Sequence, residues 1–145
     1  MDTQQHIKTL QRVYAAVLAD AALQFKEEGI LDSVVQRKKQ EALANGQYKA
    51  QQFGIQTPAE AFTKTVALFG CANWQIIPND NGFTAEATAC MLCALAKKIN
   101  AGSPCQLYCL HPLEGMVKGI APGAEFTPQE TLWNGQKCRV EVVTK

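Results

Sequence analysis

The side chains best suited to chemistry gather between Cys90 and Glu114. Four of the six cysteines and one of the two histidines lie there. Cys90 and Cys93 stand three apart, and Cys105 and Cys109 four apart, so each pair shares one face of a helix. Two such helices packed together would converge four sulfurs. Thiolates in that arrangement suit zinc or an iron–sulfur cluster, structural or redox-sensing. The spacing is not that of a zinc knuckle, because both pairs fall within helices and not in tight turns. The competing reading is a soft core. Free cysteine is among the most buried residue types, and Cys90 and Cys93 sit among Ala, Met and Leu.

Cys109-Leu110-His111-Pro112 carries a second kind of chemistry. A thiol and an imidazole lie close where a proline must bend or stop a helix. An imidazole there could lower the thiol pKa and make a nucleophile. Residues two apart do not face each other on an ideal helix, so pairing needs the bend. Glu114 could orient His111 or serve as acid or base. The plainer readings are a helix-end histidine bonding a carbonyl and a first-turn acid. Cys71 has no activating neighbour in sequence. Cys138 alternates with Val140 and Val142, which fits a buried strand. His6 opens a helix and is expected in solvent. Trp74 and Trp133 are core or pocket walls. No phosphate loop, dinucleotide fingerprint, serine elbow or HExxH is present.

A chain of 145 residues, 47% hydrophobic and 19% charged, can bury a core and reads as one domain. Residues 1–70 carry eight basic and seven acidic groups, and residues 71–145 carry six of each. No basic face stands out, which argues against nucleic acid. Arg37-Lys38-Lys39 reads as a solvated helix face. No apolar run reaches membrane-spanning length, and the polar N-terminus has no signal-peptide core, so a cytoplasmic protein without a membrane partner is expected. Its cysteines are then free thiols or ligands.

The elements that must position these groups follow from periodicity. Ile7, Leu10, Tyr14, Val17, Ala21 and Phe25 make one apolar stripe on a helix from Thr3 to Glu28, ended by Gly29. A polar helix runs from Asp32 or Ser33 toward Phe53, with Asn45-Gly46 as a weak point that breaks it. Thr57-Pro58-Ala59-Glu60 starts a third helix, stopped by Gly70. Ala72 to Ile77 and Phe83 to Thr88 read as a hairpin around Pro78–Gly82. A buried helix follows from Ala89 to Ile99. Ser103-Pro104 opens another that bends near His111 and resumes to Ile120. Phe126 to Trp133 and Gln136 to Val143 form a second hairpin on an Asn134-Gly135 turn. The predicted class is α+β: a four-stranded antiparallel sheet with one face covered by helices. Residues 1–70 are a helical segment and residues 71–145 a hairpin–helix–helix–hairpin core. The polar second helix and the sheet edges suggest a homodimer.

Cys90, the Cys105-x3-Cys109-x-His111 run and the hairpin from Glu130 to Val140 resemble the L-2-amino-thiazoline-4-carboxylic acid hydrolase family. That family is similar in fold to the 4-vinyl reductase-like small-molecule-binding domains. The resemblance spans about residues 62–143. Gln136 and His111 stand where the family often has acids. The resemblance implies hydrolysis of a carbon–nitrogen bond in a cyclic amidine, giving a carbamoyl-cysteine. In that reading Cys109 is nucleophile or ligand, His111 base and Glu114 its orienter. Arg139 anchors a carboxylate only if its strand face turns to a pocket. The alternative is a binding module that holds a small hydrophobic or metal-containing ligand without chemistry.

Overall fold

A computed structural model describes all 145 residues. Helices α1 (Thr3–Glu27), α2 (Leu31–Gln52) and α3 (Pro58–Phe69) precede strands β1 (Gln75–Asn79) and β2 (Gly82–Ala87). Helix α4 (Met91–Lys98), a π-turn (Gln106–Leu110) and helix α5 (His111–Ile120) lead to β3 (Glu125–Glu130) and β4 (Cys138–Val143). The four strands form one antiparallel sheet in the order β1-β2-β4-β3. The α+β class expected from the pattern is the one observed. No helix is long and apolar enough to cross a membrane.

The sheet buries one face. Phe83, Ala85 and Ala87 of β2 and Cys138, Val140 and Val142 of β4 point inward, onto Phe62 of α3 and Leu113, Met116 and Val117 of α5. Phe62 is the centre of this core, with its ring against those of Trp74, Phe83 and Phe126. Pro78 and Pro128 both lie in edge strands, β1 and β3, where a missing N–H breaks no central ladder. A second, smaller core joins α1 to α4 through Ala15, Ala19 and Ala22 against Leu92 and Ala96.

Several expectations are corrected. The first hairpin closes more tightly than expected: β1 starts three residues later and ends two later, β2 starts one earlier, and Asn79 pairs with Gly82, so Asp80-Asn81 is the turn and Pro78 a strand residue. The second hairpin does not close on Asn134-Gly135. Glu130 pairs with Arg139, and residues 131–137 form a wide loop. The Glu130 carboxylate holds that loop by accepting the Gln136 and Lys137 amides at 2.7 and 3.1 Å. Of the expected α1 stripe, Ile7, Leu10 and Val17 are exposed and Tyr14 stacks on Phe69, while the buried face of the helix is the alanines.

Helix α2 does not break at Gly46 either. Gly46 faces Gly115 and Gly119 of α5, and a Cβ at any of the three would collide with the opposing backbone. The glycines let the two helix backbones touch. Pro112, inside a helical stretch, is accommodated by the π-turn. The His111 amide reaches back five residues to the Gln106 carbonyl, so the helix widens just ahead of the proline ring. Pro112 then occupies the first turn of α5, where its missing N–H costs little.

Replacing Gly115 with Ala drives a methyl into the Ala42 carbonyl. This substitution is expected to destabilise the fold by about 3 kcal/mol or more. Gly123→Ala meets nothing within 4 Å and is expected to stay within about 0.5 kcal/mol of wild type in urea unfolding.

Candidate functional site

Residues 105–116 form a wall with a cavity on each side. On one side lies an open cleft of about 860 Å³ between α2, the π-turn and the β3 edge. Cys105, His111 and Glu114 face it, opposite Lys39 and Trp133. On the other side lies a smaller, mostly apolar pocket of about 340 Å³. Tyr14, Phe69, Trp74, Tyr108 and Met116 form its body, with Cys71, Cys90 and Cys109 among them. Lys49, Asn45 and the Lys38–Glu41 pair (2.9 Å) stand at its α2 side.

The π-turn makes this division. Cys105 and Cys109, expected on one helix face, both pack against the main core but line different cavities, Cys105 the cleft and Cys109 the apolar pocket. Cys109 and His111 are likewise separated, and no hydrogen bond joins them. His111 instead faces Glu114, with Nδ1 3.9 Å from Oε2. Glu114 also accepts a 2.8 Å hydrogen bond from Lys118. Both His111 and Glu114 are nearly buried at 11% and 14% side-chain exposure. Burial first, then the neighbouring Lys39 charge, holds the His111 pKa below the usual imidazole value, against the pull of Glu114. The imidazole is therefore neutral at pH 7.

The thiols behave in the opposite sense from activated nucleophiles. Burial raises Cys109 well above the ordinary thiol range, reinforced by Cys90 and Cys105. Burial also pushes Cys71 and Cys138 to about 11 and Cys93 to about 12. Cys90 caps α4, its sulfur accepting the Cys93 amide at 3.5 Å. Cys138 accepts the Leu132 amide at 3.3 Å. All six cysteines are free. No three Cys, His, Asp or Glu side chains form a group that could hold a metal ion. This corrects the expected quartet of Cys90, Cys93, Cys105 and Cys109. The sulfurs do gather in one region, but Cys90 is spent on a helix cap and Cys105 opens to the other cavity.

Arg139 bonds Glu86 and Gln129 on the outer side of the sheet and lines neither cavity. Trp133, by contrast, is a cleft wall, with Lys97 5.7 Å from its ring. Lys39 departs from the expected solvated face: it is half-buried and lines the cleft. Its only signal in the sequence is its place among three consecutive cations, which does not say which one turns inward. Comparison of the chain with family models, curated proteins and solved structures returns no match.

A thiol pKa raised from about 9 to about 11, as for Cys71 and Cys138, leaves about a hundredfold less thiolate at pH 8. Alkylation of Cys71 and Cys138 in the native protein is expected to be slower than in the unfolded chain by about that factor. Because these groups bind protons more tightly folded than unfolded, their contribution to stability is complete below about pH 9 and is lost as pH rises toward 12. Urea midpoints measured from pH 8 to 11 should fall, and Cys93→Ala should flatten the decline.

Proposed function

We propose that the chain is a small-molecule-binding domain whose ligand occupies the apolar pocket beside Cys109. The observation that carries this reading is the pocket's lining: aromatic rings and protonated thiols around a space of about 340 Å³. Such a lining suits a small ring with an apolar body. Lys49, with no acidic partner, stands where an anionic substituent of that ring would emerge. Thermal-shift screening with small heteroaromatic carboxylates tests it. A binder raises the melting temperature with concentration, and Cys109→Phe, which fills the pocket, abolishes the shift while the protein stays folded. A shift that survives the filled pocket contradicts the reading.

A second reading, hydrolysis of a cyclic amidine carbon–nitrogen bond, is favoured by the His111–Glu114 pair. In this reading the substrate lies in the cleft. Neutral His111 takes a proton from water as the water adds to the amidine carbon. The imidazolium passes that proton to the ring nitrogen as the carbon–nitrogen double bond becomes single. The adduct's hydroxyl proton follows by way of His111 as the carbonyl forms and the remaining carbon–nitrogen bond breaks. Glu114 orients the ring and stabilises its charged form, and Lys39 faces the carboxylate. Cys109 lies behind the wall, so the nucleophile is water and not the thiol. His111→Gln is expected to lower kcat by about 10²–10⁴-fold with an unchanged melting temperature. Cys109→Ser should leave turnover within a few-fold. Because the His111 pKa is lowered, activity holds across neutral pH and declines only below the ordinary imidazole range. Turnover lost in Cys109→Ser but kept in His111→Gln would return the role of nucleophile to the thiol.

A further inference from the structure

The apolar pocket beside Cys109 runs from exposed side chains to buried ones. Lys49, Asn45 and Tyr14 line it and are exposed, so they mark its mouth. Trp74 lines it too but is only 6% exposed, so it stands at the inner end. Its ring is fixed there by a T-shaped contact with Phe62, centroids 5.1 Å apart. The indole nitrogen is a donor only, and in a buried tryptophan it ordinarily finds an acceptor. The Trp74 N–H donates to no group in the chain. Yet no side-chain nitrogen or oxygen of the chain is both sealed from solvent and unpaired. The N–H therefore opens onto accessible space, and the pocket is the cavity that Trp74 lines.

The groups around it are donors as well. Burial first, then Cys71, raises the Tyr14 pKa; burial first, then Tyr14, raises that of Tyr108. Both phenols keep their protons at neutral pH, as does the Cys109 thiol. Glu41, the only carboxylate in the lining, is paired with Lys38 at 2.9 Å. The Thr65 hydroxyl is turned back onto the Ala61 and Phe62 carbonyls at 2.9 and 2.8 Å. A carbocyclic ring seated here would cover the Trp74 N–H and leave it unpaired, which costs affinity. We infer that the ligand is a planar ring acid with a hydrogen-bond acceptor, a ring nitrogen or a carbonyl, on its inner edge. The Trp74 N–H reads that acceptor, and the carboxylate emerges at the mouth beside Lys49. This specificity rests on the pocket-binding reading above and adds to it which rings are taken and which residue selects them.

Isonicotinate and benzoate are the probes, alike in shape but with a ring nitrogen opposite the carboxylate only in the first. Isonicotinate is expected to bind wild type about tenfold tighter. It should move the Trp74 indole N–H resonance downfield by NMR, while the Trp133 indole in the cleft stays in place. Loss of one resonance in Trp74→Phe assigns the pair, and that variant should bind the two acids equally. Should Trp74→Phe not fold, Trp133→Phe gives the assignment and the wild-type comparison stands alone. Equal affinities with an unmoved Trp74 resonance overturn the specificity and leave the pocket reading standing. A preference that persists in Trp74→Phe does the same. Binding of neither acid, or a shift of Trp133 in place of Trp74, overturns both.

Discussion

Two helix backbones in contact, α2 on α5, set the positions of everything that bears on function. Gly46 meets Gly115 and Gly119 with no side chain between them. Side chains at an ordinary helix crossing hold axes about 8–10 Å apart; paired glycines remove that spacer. The close approach brings Lys39 to one end of the α2–α5 seam and Lys49 to another region, each at the border of a different cavity. The same contact holds α5 down on the sheet, where Leu113, Met116 and Val117 complete the main core. A polar helix such as α2 would otherwise have little reason to stay: its buried residues are only Val35, Gly46 and Ala50. Its affinity for the rest of the chain comes from surface fit, and not from a broad apolar face.

The π-turn is the second constraint, and it depends on the first. Pro112 needs a widened turn ahead of it, and the α2 contact fixes which way that widened turn faces. The result is a single short segment that serves two unlike environments. Its polar side carries a nearly buried imidazole and carboxylate, and its apolar side a thiol that burial keeps protonated. Ion pairing and low dielectric are thus separated by the thickness of one helical turn. A proton-transfer pair works best where water and charge can reach, and an apolar ligand binds best where they cannot.

Much of this was legible in the sequence where the signal is local. Thr57, Pro58 and Gly70 bracket α3 as cap, first-turn proline and stop, and all three take those roles in the structure, Gly70 with a left-handed backbone. The alternation of Cys138, Val140 and Val142 names the buried face of β4. The failures are tertiary. Gly46 reads as a helix breaker because the sequence does not say that a partner helix will fill the missing side chain's place. Asn134-Gly135 reads as a tight hairpin turn, but Glu130 captures the amides beyond it and opens the loop that carries Trp133 into the cleft. Cys105 and Cys109 do stay near each other, but the segment is a wall only one turn thick, so each reaches a different cavity, and no local spacing says where a cavity will open. The α1 stripe was visible as a stripe; that the fold buries the smaller alanine face in its place is not written in local periodicity.

The division between the two cavities is most directly tested by titrating His111 by NMR in three proteins. In wild type its pKa should lie below that of a free imidazole. Glu114→Gln should lower it further, because the Glu114 charge opposes the shift. Cys109→Ser should leave it unmoved, because that side chain stands behind the wall. A His111 titration that follows the Cys109 substitution and ignores Glu114 would mean that thiol and imidazole share one site, and would contradict the separation.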